Sequence, residues 1–111
     1  MNIYDSENNL IREINFVDYR KLQEYVTVKP FHMIAGEREP TKCFSVISAC
    51  EEAQRQLLSQ LIHDGLTDDQ RVDMFNMGAV LSVLVRDLKK VDEYQTLELR
   101  VPDTYRWTPK P

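Results

Sequence analysis

Between Thr41 and Val91 the apolar positions recur at helical spacing. Cys43, Ile47, Cys50, Leu57 and Leu61 form one stripe, with Phe44, Leu58 and Ile62 beside it and Gln54 as its polar interruption. Glu51, Glu52, Arg55, Gln56 and Gln60 lie mostly on the other side. This i, i+3, i+4, i+7 pattern belongs to a helix that packs along one face. It predicts a helix over about residues 42–64, entered after Pro40 and closed near Gly65.

Thr67-Asp68-Asp69-Gln70 then has the form of a capping box, in which the Thr67 hydroxyl and the Gln70 side chain each take up a backbone N–H. Asp68 and Asp69 also face the positive end of the new helix dipole, and Leu66 is placed to staple the entry onto Arg71 or Val72. A second helix is predicted over about 68–90, ending on Lys89 and Lys90. Its middle, Met77 to Val85, is apolar nearly all round, which predicts burial on more than one side. Gly78 within it weakens the helix by roughly 1 kcal/mol relative to Ala, and close approach of Ala49 and Ala53 is the expected compensation.

The pattern changes to alternation at both ends. Ile3-Tyr4-Asp5 and Leu10 to Phe16 flank Ser6-Glu7-Asn8-Asn9, where asparagine tolerates a left-handed turn, and this predicts a β-hairpin. On its second strand Leu10, Arg12, Ile14 and Phe16 share one face. Glu93 to Val101 alternates with Leu97, Leu99 and Val101 on one side, a half-buried strand stopped by Pro102. Tyr19 to Tyr25 predicts a short helix, and His32 to Ala35 one brief strand within an irregular stretch punctuated by Pro30, Gly36 and Pro40. The expected architecture is α+β: an antiparallel helical hairpin packed on a small antiparallel sheet built from the N-terminal hairpin and a C-terminal strand. Residues 1–111 are read as a single domain, with 102–111 as a C-terminal tail.

Composition narrows the function classes. The net charge of −4 comes from interspersed acidic and basic residues, which speaks against a phosphate-tracking surface and hence against nucleic acid as a partner. No apolar run approaches the roughly 20 residues that span a bilayer, so no membrane partner is expected. The first residues, Met1 to Asp5, lack a basic start and an apolar segment, and the expected compartment is the cytoplasm. Cys43 and Cys50 lie seven positions apart on one helix, about 10 Å along its axis, too far for a mutual disulfide; both fall on the apolar stripe and are expected as buried thiols.

Candidate chemistry is sparse. His32 and His63 have no acidic or cysteine neighbour at metal-ligand spacing, the serines have no glycine-rich elbow, and Gly36, Gly65 and Gly78 are isolated. No catalytic residue, metal or cofactor is therefore expected. Two segments stand out as candidate partner- or ligand-binding sites. Arg38 sits in a polar loop before a helix, suited to an anion or a carboxylate. Tyr105-Arg106-Trp107 combines the residue types that dominate binding hot spots.

The reading these features support is a small non-catalytic protein–protein interaction module. A 111-residue domain has limited interior, so the apolar second helix is expected to be covered by self-association, in a homodimer or larger assembly, with Met77, Val80, Leu81 and Leu84 as the interface. Within that class the size and lack of chemistry fit a phage or mobile-element accessory protein that binds one host protein and inhibits it. The alternatives are an oligomer that sequesters an anionic metabolite or nucleotide, and a virion assembly or structural protein.

Overall fold

The computed structural model describes residues 2–13, 22, 24–28, 33–34, 37–38, 41–63 and 65–100. In chain order the elements are β1 (Asn2–Tyr4), β2 (Leu10–Glu13), β3 (Met33–Ile34), β4 (Glu37–Arg38), β5 (Thr41–Lys42), α1 (Cys43–Leu61), α2 (Asp68–Leu88) and β6 (Thr96–Arg100). The two long helices pack on each other, and four strands in the order β2-β1-β6-β5 form an antiparallel sheet, as the α+β pattern predicted.

The N-terminal hairpin turns where the sequence placed it. Asn8 takes the left-handed backbone at φ 66. The Asp5 carboxylate accepts from the backbone N–H of Glu7 at 3.0 Å and of Asn9 at 2.8 Å, which holds its pKa below the usual carboxylate value, chiefly through the Asn9 bond. The register slips by one residue between Ile3 and Tyr4, so Ile3 faces Arg12 while Tyr4 faces Leu10. This corrects the expected strand face: Ile11 packs against the core, whereas Leu10 is half exposed. Arg12 is no defect in an apolar face either; its guanidinium reaches the Asp87 carboxylate at 2.5 Å and ties the sheet edge to α2. The expected positions 14–16 of this strand lie outside the described residues.

Strand β6 is shorter than its alternating pattern. Leu97 and Leu99 point into the core as predicted, but residues 93–95 form a turn. There the Asp92 carboxylate accepts from Tyr94 N–H and its carbonyl from Gln95 N–H, both at 2.9 Å, and this local bonding outcompetes extension. Thr41 and Lys42, expected as the first helical residues, instead pair with Leu97 and Thr96 as β5. In the irregular stretch a second short strand, β4, pairs with β3.

Helix α1 ends three residues before its expected limit, and Gly65 supplies a turn residue at φ 94. The capping box of α2 forms in full: Gln70 N–H donates to Thr67 Oγ1 at 3.2 Å and Thr67 N–H to Gln70 Oε1 at 2.9 Å. Ile3, Leu97 and Leu99 of the sheet, Val46, Cys50, Ala53 and Leu57 of α1, and Met74, Leu81, Leu84 and Leu88 of α2 make one core. Leu22, Tyr25 and Val26 close it from a third side, with Leu22 and Tyr25 helical as predicted. Two glutamines one helical turn apart hold that cover: the Tyr25 carbonyl accepts from Gln60 Nε2, and Gln56 Oε1 accepts from Thr27 N–H at 2.7 Å.

The middle of α2 differs from expectation in one respect. It is enclosed on its inward side within a single subunit, while Ala79 and Ser82 are exposed. Met77, Leu81 and Leu84 are 8%, 0% and 1% exposed, and Val80 packs partly against the same core. They are interior residues of one chain, and the assembly interface assigned to them is corrected accordingly. A Cβ at Gly78 meets nothing within 4 Å, so no neighbouring backbone needs its hydrogen, contrary to the expected approach of Ala49 and Ala53.

Two outcomes follow. Gly78→Ala raises unfolding free energy in urea by up to about 1 kcal/mol, because helix propensity improves without a clash. Leu81→Ala lowers it by about 3 kcal/mol through cavity formation, and the loss is independent of protein concentration, as befits a core position and not a subunit contact.

Candidate functional site

The antiparallel helices meet along a seam marked by polar contacts. Arg71 Nη1 donates to the Leu61 carbonyl at 3.3 Å near the hairpin turn. Gln54 Nε2 donates to Ser82 Oγ at 2.5 Å and to the Gly78 carbonyl at 3.5 Å in the middle. Lys89 Nζ lies 3.9 Å from Glu51 at the far end, where Cys43 Sγ also donates to the Leu88 carbonyl at 3.4 Å. Gln54, the apparent break in the apolar stripe, is thus one of the residues that fasten α1 to α2.

Large apolar side chains are left exposed on both helices of this hairpin. Leu58 and Ile62 follow Gln54 at i+4 and i+8, so each helical turn carries them further from the core side held by Leu57. On α2, Phe75 precedes Gly78 by three positions, and Val72 precedes Phe75 by three more. Leu58, Ile62, Val72 and Phe75 are 63%, 82%, 55% and 65% exposed. Large apolar side chains left this exposed are the material from which interaction surfaces are made. Sequence reasoning placed Leu58 and Ile62 beside the buried stripe but did not separate the two; the separating signal was Gln54, whose polar bonds define where the buried face stops.

At the other end of the hairpin a cavity of about 350 Å³ opens between the start of α1 and the segment after α2. Phe44, Ile47, Ser48 and Glu51 line one side, and Lys89, Val91 and Glu93 the other. The Phe44 and Tyr94 rings meet edge to face, centroids 6.0 Å apart and planes at 65°.

The residues singled out from sequence are placed differently. The backbone of Arg38 lies in β4, paired with Met33. Tyr105, Arg106 and Trp107, and His32, lie outside the described residues. His63 is exposed just past α1, its N–H donating to the Gln60 carbonyl at 3.1 Å. Cys43 and Cys50 are free, buried thiols, as expected. Burial pushes the Cys50 thiol up to about 12; burial and then the carboxylates of Asp92 and Glu93 raise that of Cys43. Among the described residues no group of three or more His, Cys, Asp and Glu is placed to hold a metal ion, and no helix is long and apolar enough to cross a membrane.

Comparison with protein families, with curated proteins and with solved structures finds no match to this chain.

Neither thiol is exposed as a thiolate, so a disulfide reagent such as DTNB leaves both cysteines unmodified in the folded protein at neutral pH and titrates them on unfolding. Rapid stoichiometric reaction in the native state overturns the buried assignment.

Proposed function

We propose that this chain is a non-catalytic protein–protein interaction module whose contact surface is the outer face of the helical hairpin, and that its partner there is a second copy of the chain. The observation that carries the reading is the group Leu58, Ile62, Val72 and Phe75, each more than half exposed beside a polar seam. Two of these side chains come from each helix. A twofold axis through the patch lays Leu58 and Ile62 of one copy on Val72 and Phe75 of the other, the self-complementary arrangement that closed dimers use. This relocates self-association from the buried positions of α2 to the surface that is free to make it.

The size of the patch sets the strength. It supplies the apolar centre of an interface but less than the roughly 800 Å² per partner of a stable complex, so the dimer is weak and reversible. In the narrower role of an accessory protein that blocks a host factor, the same face engages that factor in competition with the second copy.

Sedimentation velocity over a concentration series tests the reading. The weight-average mass rises from 13.1 kDa towards twice that value, with a dissociation constant between about 10 µM and 1 mM. Ile62→Glu combined with Phe75→Glu keeps the chain monomeric without lowering its unfolding midpoint, because both positions are solvent-exposed. A wild-type chain that remains monomeric at about 1 mM overturns the proposal.

A further inference from the structure

We draw no further inference here: the strongest candidate, the open space beside Gly78 in the middle of α2, with the exposed Phe75 and Ser82 one helical turn to either side, carries nothing, because nothing in the structure shows what covers it.

Discussion

Helix α1 starts on Lys42, which offers no side-chain cap, so its first N–H groups need partners from elsewhere in the chain. They find them in the turn after α2: Cys43 N–H donates to the Gln95 carbonyl and Phe44 N–H to the Glu93 carbonyl, both at 2.9 Å. One short turn thereby joins three parts of the molecule. It follows α2, it leads into β6, and it closes the start of α1 just where β5 has paired with β6. The Cys43 thiol, donating to the Leu88 carbonyl, adds a buried contact at the same junction. Without these bonds the start of α1 would expose unpaired donors, and the sheet would lose the strand that delivers the helix to its packing site.

With that junction fixed, the core follows from area and volume. The sheet lays Ile3, Leu97 and Leu99 under the helices, and the segment with Leu22, Tyr25 and Val26 covers the remaining side of α1. With that third cover, a single small chain encloses one core that includes the inward side of α2. The outward side of the same stretch carries Ala79 and Ser82, residues small or polar enough to meet solvent. The demand for assembly that an all-round apolar helix would create is thus relieved inside the subunit. What remains exposed is a smaller and more specific surface near the hairpin turn.

The seam links packing to that surface. Gln54, Ser82 and Arg71 tie the two helices together, so the exposed Leu58 and Ile62 of α1 and Val72 and Phe75 of α2 are carried on one packed pair of helices. A contact face on two rigid helices avoids much of the ordering cost that a flexible loop incurs on binding. At the other end, the turn that closes α1 places Tyr94 against Phe44 and brings Glu93 to the cavity rim. Both surfaces therefore derive from contacts whose first role is to hold the fold together.

Local chemistry in the sequence was enough to set the two helices, the Thr67 capping box, the Asn8 turn, the inward Leu97 and Leu99, and the buried thiols. Each depends on neighbours within a few positions or on a simple period. It did not reveal that Leu10 turns outward and Ile11 inward, because a one-residue register slip reverses strand faces without changing composition. Nor did it show Thr41 and Lys42 as a strand, since their partners are more than fifty positions away. Gly78 read as a site of close packing, yet only the tertiary arrangement shows open space beside it. The division has one physical cause. Backbone bonding and periodicity act over one or two turns, and the residues themselves encode them. Which apolar residue is covered and which is left for a partner depends on what lies across the seam, and that is decided only when distant segments pack together.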